Sequence, residues 1–412
     1  MEQIKRDLYL GKLIDRRENG LTKVITGIRR CGKSYLLFNI YYNYLLSSGV
    51  PAERILRIPL DDDDFSELRE SKNLSAYIKE RLSDDGMWYL FLDEVQLCNG
   101  FEGVLNGLNR RENLDIYVTG SNSKFLSSDI LTEFRGRGDE VRVYPLSFSE
   151  YYSACQGDRY DAWRDYSTYG GLPRILSMQK PELKSQYLVT LCHELYFKDI
   201  EDRNNLKGDQ VMETLVKILA SSIGSLTNPS KLANTFLSNG ISTTDKTISS
   251  YIGYLIDAFF INRAERFDIK GKKYISSPFK YYFTDIGLRN AQLNFRQQEV
   301  THIMENIIYN ELLTRGFNVD VGVVPISEGG TRKLLEVDFV CNLASKRYYI
   351  QSAYSLPTEE KLLQEQRSLE YTGDFFKKII ITSDNTSTHY TDDGILIMNV
   401  FDFLLNQNSL DI

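Results

Sequence analysis

Apolar positions along the chain follow two rhythms. Between residues 21 and 150, short continuous apolar runs alternate with stretches whose apolar residues recur at helical spacing. Continuous runs suit strands buried on both faces, so the pattern predicts a parallel α/β sheet. Strands are predicted at 22–26, 55–60, 88–92, 114–119 and 140–144. Ahead of them, Leu8, Leu10, Leu13 and Ile14 form an apolar stripe among Arg and Lys, so residues 1–20 read as an amphipathic helix. Residues 150–205 read helical, with a tight break at Tyr169-Gly170-Gly171-Leu172-Pro173. Helices then fit Val211 to Ile223, Pro229 to Leu237 and the well-capped stretch from Thr243. Two strands around a turn at Gly271 follow; three helices and a hairpin are the plan of a winged helix-turn-helix. The last stretch predicts a helix at 299–315, strands near 317–324, 334–341 and 347–354, a helix at 358–371 and a strand at 377–382. The chain thus divides into 1–150, 151–205, 206–292 and 293–412.

Composition narrows the class. With 412 residues, 42% hydrophobic and 25% charged, two or three globular domains are expected. The 27 Tyr and 21 Phe argue against disorder. A net charge of −7 argues against a whole chain that coats nucleic acid but leaves room for a local basic patch. Cysteines 31, 98, 155, 192 and 341 form no CxxC pair, which indicates neither zinc nor a disulfide framework and fits a reduced, cytoplasmic compartment. His193, His302 and His389 have no metal-ligand spacing. The start Met1-Glu2-Gln3-Ile4-Lys5-Arg6-Asp7 lacks the apolar core of a signal peptide. No apolar stretch reaches the ~18 residues of a membrane span.

Chemistry enters with Gly27-Ile28-Arg29-Arg30-Cys31-Gly32-Lys33-Ser34, a complete G-x-x-x-x-G-K-[ST] loop between a strand and a helix that opens at Tyr35. Its glycines let backbone N–H groups converge on phosphate oxygens at a helix N-terminus. Lys33 is placed for the β and γ phosphates and Ser34 for Mg²⁺. The run Trp88 to Leu92 ends in Asp93-Glu94, where ligands bind in open α/β sheets. Asp93 would hold the Mg²⁺ shell and Glu94 would polarise the attacking water. Beyond the next strand, Ser121 or Asn122 could bond the γ-phosphate or that water, or simply form a Gly-Ser turn. Arg135 or Arg137 could stabilise transition-state charge, in cis or across a subunit interface, or belong to a solvated basic turn. Asp61 to Asp64 could help shape the Mg²⁺ end, a solvated loop being the plainer reading. No N-K-x-D guanine-reading segment occurs, Asn205-Leu206-Lys207 lacking the pattern, so ATP is favoured over GTP.

The hairpin carries Arg263, Arg266, Lys270, Lys272 and Lys273, with Lys280 just beyond and Tyr274, Tyr281 and Tyr282 between them. Basic and aromatic residues on an exposed wing suit a nucleic-acid backbone. Glu265 and Asp268 dilute the patch, and a wing used only for packing is the alternative.

Gly27 to Ser34, Asp93-Glu94-Val95-Gln96, Thr119-Gly120-Ser121 and Pro145-Leu146-Ser147-Phe148-Ser149-Glu150 together resemble the AAA-type ATPase domain of a large prokaryotic family. Members usually carry a C-terminal domain of unknown function, and Gly170-Gly171-Leu172-Pro173, Phe283 to Arg289 and Glu336-Val337-Asp338-Phe339 resemble that part. The resemblance implies an additional-strand, catalytic-glutamate P-loop fold at 1–150, a helical lid at 151–205, a winged helix at 206–292 and a restriction-endonuclease-like α/β domain at 293–412. ATP and Mg²⁺ are the implied ligands. Hydrolysis would change the lid and reposition the later modules, with DNA or a protein as partner and an oligomer required if an arginine acts in trans.

The nuclease-like part departs from its pattern. The active PD-(D/E)xK constellation needs a helix acid, a strand Asp and an acid-x-Lys. Glu305 and Asp338 match the first two, but the third reads Gln351-Ser352-Ala353. The fold is expected without robust nuclease activity, unless Lys346 or Lys361 replaces the lysine in space.

Overall fold

The computed structural model describes residues 4–120, 136–155, 157–204, 206, 210–296 and 299–412. Contacts divide the chain into two compact units: residues 1–145 with 257–259, and residues 146–256 with 260–412.

The first unit is built on a five-stranded parallel sheet in the order β2-β3-β4-β1-β5. The strands are β1 (Thr22–Thr26), β2 (Ile55–Pro59), β3 (Trp88–Asp93), β4 (Leu114–Thr119) and β5 (Gly138–Arg142). Every residue of β1, β3 and β4 is buried, as their continuous apolar runs require. β4 stands between β1 and β3, pairing Val24 with Val118 and Leu90 with Ile116. This is the additional strand that the resemblance implied. Val24, Leu90, Leu92, Ile116 and Val118 pack with Phe101, Leu105 and Leu108 of the helix Phe101–Leu108. The amphipathic helix is shorter than its pattern, Asp7–Ile14, and buries Tyr9 and Leu13. At the end of the sheet where β1 begins, buried Lys23 pairs with Asp115, which also accepts the Tyr117 hydroxyl at 2.7 Å. Burial lowers the Lys23 pKa and Asp115 opposes it, so the two charges are held together rather than one left unpaired.

The second unit joins helices to one eight-stranded sheet, ordered β12-β13-β11-β10-β9-β8-β6-β7. Its strands are β6 (Ile261–Asp268), β7 (Lys273–Phe283), β8 (Asn318–Glu328), β9 (Thr331–Leu343), β10 (Lys346–Ala353), β11 (Lys377–Thr382), β12 (His389–Tyr390) and β13 (Leu396–Asn399). The expected helices appear as Gln210–Ser221, Pro229–Ser238 and Asp245–Asp257, followed by the β6/β7 hairpin. That hairpin is no free-standing wing. β6 pairs in parallel with β8 through Arg266/Val321, Phe267/Gly322 and Asp268/Val323, so strands from both sides of the expected division at 292/293 share one sheet. β7 runs from the turn to Phe283.

The family-like motifs of this unit meet at Asp285. Its carboxylate accepts the N–H of Gly171 at 2.7 Å and of Leu288 at 3.1 Å, capping the helix Ile286–Gln292. A Cβ on Gly170 would lie 2.1 Å from Asp285, one on Gly171 2.2 Å from the Leu146 carbonyl, and one on Gly287 2.0 Å from the Tyr169 carbonyl. Ser147 and Glu150 cap the next helix reciprocally. Asn306 grips the β7 backbone, bonding both N–H and carbonyl of Phe283 at 2.8 Å.

Burial pushes the Asp285 carboxyl up to about 6 against the pull of its three N–H donors. A carboxyl whose pKa rises on folding contributes stability that is full below its unfolded value of about 4 and lost as pH climbs through 6. In Asp285→Asn that loss disappears: the stability difference between wild type and variant shrinks by about 3 kcal/mol between pH 4 and 7, read by urea unfolding at each pH.

Candidate active site

β1 delivers the chain into the loop at Gly27. Here φ is 136° and a Cβ would lie 2.1 Å from the Val143 carbonyl, so only glycine fits. Arg30 (φ 66°) and Gly32 (φ 101°) are also left-handed and turn the backbone. Cys31 is buried, with its Sγ 3.4 Å from the Val143 carbonyl. The Arg6 guanidinium bridges the Cys31 carbonyl at 3.1 Å and the Tyr144 carbonyl at 2.7 Å, tying the loop to the segment after β5. Ile28 is buried, while Arg30, Ser34 and Tyr35 are exposed and Arg29 is half-buried. Lys33 is buried at the helix start, with its Nζ on the carbonyls of Gly27 (2.9 Å) and Ile28 (3.2 Å). The ammonium therefore lies inside the loop. The helix continues from Lys33 to Ser47, through a π-helical segment at Leu36–Tyr41.

Asp93 closes β3 beneath this loop and is buried. It accepts the hydroxyls of Thr119, from the adjacent end of β4, and of Ser34. Burial raises its pKa, with Glu94 and Asp61 adding to the rise and the two hydroxyls opposing it. An uncompensated carboxylate of this kind is where a cation is worth most. Glu94 takes the left-handed conformation (φ 48°); its N–H reaches the Thr119 hydroxyl at 3.3 Å, and its carboxylate accepts the Gln96 amide. Thr119 and Gln96 had no role in the sequence reading beyond membership of matching motifs. Their signal was positional: Thr119 ends a strand adjacent to β3, and Gln96 lies two residues past the glutamate. The acidic run divides, with Asp62 capping Asp64, Asp63 facing Arg69 at 3.7 Å and Asp61 electrostatically felt by Asp93.

Ser121, Asn122 and Arg135 lie outside the described residues. Arg137 does not join the site. Its carbonyl accepts the N–H of Thr22 at 2.9 Å, which places it beside the first residue of β1, whereas the loop follows the last. Roughly 13 Å of strand intervene, farther than an arginine side chain extends, so the cis role expected for Arg137 falls away.

On the hairpin, Lys270, Lys272, Lys273 and Tyr274 are exposed. Arg263 is engaged by Glu265 at 2.8 Å and lies over the Phe279 ring. Arg266 is half-buried where β6 meets β8. Lys280 is not on the surface at all: it is 4% exposed in its side chain and surrounded by Glu305 (2.9 Å), Glu336 (2.8 Å) and Asp338 (3.5 Å). Gln351 turns its Oε1 onto the Asp338 N–H at 3.3 Å. Lys346 pairs with Asp411 and Lys361 with Glu365, so neither supplies the missing lysine. Burial pushes Asp338 up to about 7, with Glu305 and Glu336 adding to the rise and Lys280 opposing it. Burial also works against the Lys280 charge, but the three carboxylates outweigh it and raise its pKa.

Residues 19–152 match a family model described as an AAA domain, and residues 160–299 match a domain of unknown function. An uncharacterized protein of Haemophilus influenzae is 33% identical over 408 residues, covering 98% of each chain. A protein of Methanocaldococcus jannaschii, MJ1544, is 28% identical over 377 residues, covering 87% of this chain and 79% of its own. Among solved structures, the Walker-type ATPase PABY2304 of Pyrococcus abyssi superposes with a TM-score of 0.50 at 15% identity, over 71% of this chain and 96% of that one. Relatedness over essentially its full length to the Haemophilus protein, an AAA domain at 19–152 and the strand order around Gly27–Ser34 converge: the chain belongs to the AAA-type P-loop ATPases, in the branch that carries a second domain of unknown function.

Proposed function

We propose that this protein binds ATP with Mg²⁺ and hydrolyses it, using the cycle to switch the state of its second unit. The observation that carries the reading is the convergence of Ser34, Asp93, Glu94 and Thr119 at one end of the sheet, beside a loop that already encloses the Lys33 ammonium. The loop N–H groups from Ile28 to Ser34 receive the phosphates, and Lys33 exchanges its two carbonyl partners for phosphate oxygens. Ser34 and Asp93 would hold the Mg²⁺, which would supply charge neutralisation to the phosphates. Glu94 orients the attacking water and takes its proton. Thr119 fixes Asp93 and the Glu94 backbone in one frame, so it positions both carboxylates without touching substrate. The Gln96 amide holds the Glu94 carboxylate through a hydrogen bond that the water must compete with.

DNA is the proposed effector. Lys270, Lys272, Lys273 and Tyr274, exposed together at the hairpin turn, support it. This patch is smaller than the sequence suggested, because Arg263 is engaged by Glu265 and Arg266 is half-buried. With Arg137 away from the loop on its own chain, a finger role for Arg137 would act across a subunit interface, in an oligomer. No helix among the described residues is long and apolar enough to cross a membrane.

Lys33→Ala is expected to lose ATP binding in an equilibrium titration. Glu94→Gln is expected to keep binding while turnover falls by about 10²–10³; unchanged turnover in that variant would remove Glu94 from the chemistry. Thr119→Val, which keeps the shape and deletes the hydroxyl, is expected to lower turnover by roughly 10–100-fold with ATP affinity little changed. Duplex DNA is expected to raise turnover at low salt, with the stimulation fading steeply between 50 and 200 mM salt, as phosphate contacts do. Turnover indifferent to DNA would point the second unit towards a protein partner.

A further inference from the structure

The nuclease-like pattern of the second unit calls for a divalent metal between Glu305 and Asp338, with the residue at 351 as a further oxygen ligand. The residues present do not fit one. The Lys280 ammonium, entering from β7, already fills the position between the carboxylates. Its three N–H donors face three acceptors, one each on Glu305, Glu336 and Asp338. Glu305 and Asp338 have further neighbours as well. Glu305 Oε1 also accepts the Tyr282 hydroxyl at 2.6 Å, and its Oε2 faces His302 Nδ1 at 3.6 Å. Asp338 Oδ2 accepts the Ser352 N–H at 2.9 Å. The Gln351 oxygen is spent on the Asp338 backbone. Oxygens at 2.8–3.5 Å from a nitrogen are spaced for an ammonium; Mg²⁺ demands about 2.1 Å and near-octahedral order. Among the described residues, no group of three His, Cys, Asp or Glu side chains is arranged to hold a metal ion. Room is short on the Glu305 side, where Gly224 approaches so near that a Cβ there would lie 3.0 Å from the Glu305 carboxylate.

We propose that Lys280 is a resident cation standing in the divalent ion's place, so that Glu305, Glu336 and Asp338 form a metal-independent charge lock instead of a nuclease centre. The lock joins β7 to β9 and to the helix Val300–Thr314, three elements distant in sequence. It needs no ion from solution and is indifferent to chelators. It also predicts its own reversal. Removing the ammonium leaves three carboxyl groups around an empty position, which is the composition of a site for a hard divalent cation.

The test is a Mn²⁺ titration of the nucleotide-free full-length chain, followed by electron paramagnetic resonance, for wild type, Asp338→Asn, Lys280→Ala and the double variant. Wild type and Asp338→Asn are expected to bind the same number of ions. Lys280→Ala is expected to gain one, and the double variant to lose that ion or bind it at least tenfold more weakly. A wild-type ion that Asp338→Asn loses would overturn the proposal. So would a Lys280→Ala chain that gains none, or gains one indifferent to Asp338. Should Lys280→Ala fail to fold, wild type against Asp338→Asn decides alone: equal ion counts support the lock and unequal counts overturn it.

Discussion

The candidate site of the first unit depends on the insertion of β4 between β1 and β3. The parallel ladders on both sides of β4 set its last residue, Thr119, level with Ile25 and, one step beyond the Leu92/Val118 pair, with Asp93, close to where the loop and the acidic pair begin. Thr119 can therefore meet Asp93 and the Glu94 N–H at once. Were β1 and β3 direct neighbours, no side chain from between them could serve both. A hydroxyl is the right group there, because it donates to the carboxylate and accepts from the amide with one oxygen. Burial of every residue in these three strands makes the frame stiff. The left-handed backbone at Glu94 is tolerated because neighbouring bonds over-determine it.

A similar economy holds the second unit together. Its tight turns leave no room for a Cβ: Gly171 and Gly287 lie against backbone carbonyls, and Gly170 against the Asp285 carboxylate. Asp285 then satisfies N–H groups from two separated segments. Asn306 pairs with the Phe283 peptide as another strand would. Polar groups buried in this way specify position more than they add stability.

Sequence reasoning found what periodicity and local motifs encode. The five strands of the first sheet fell within a few residues of their places, because uninterrupted apolar runs such as Trp88 to Leu92 have few other uses. The loop Gly27–Ser34 and the pair Asp93-Glu94 were legible as candidates because both follow a fixed spacing of residue types. What pairing across distance creates was illegible. Nothing local to Lys280 says that it will point into a cluster drawn from residues 305, 336 and 338; by composition it belonged with the surface lysines of the turn. Arg137 looked close to the phosphates because a glycine-flanked arginine follows the third motif, but a parallel strand must begin at the far edge of the sheet, and that sent it away. The inner strand Leu396–Asn399 was missed, although the apolar run Ile395 to Met398 that overlaps it carried the same signal as the others, because short polar turns surround it.

The β6–β8 ladder has a consequence for how the second unit would come apart. Residues 266–268 and 321–323 are hydrogen-bonded partners in the middle of one sheet, while the covalent connection between them makes a long detour through two helices. Sheet and backbone are thus redundant connectors. A nick in that detour would leave two polypeptides that elute together in gel filtration and separate only in denaturant, so the fragment pattern on a denaturing gel would not mark a boundary between independently folding domains.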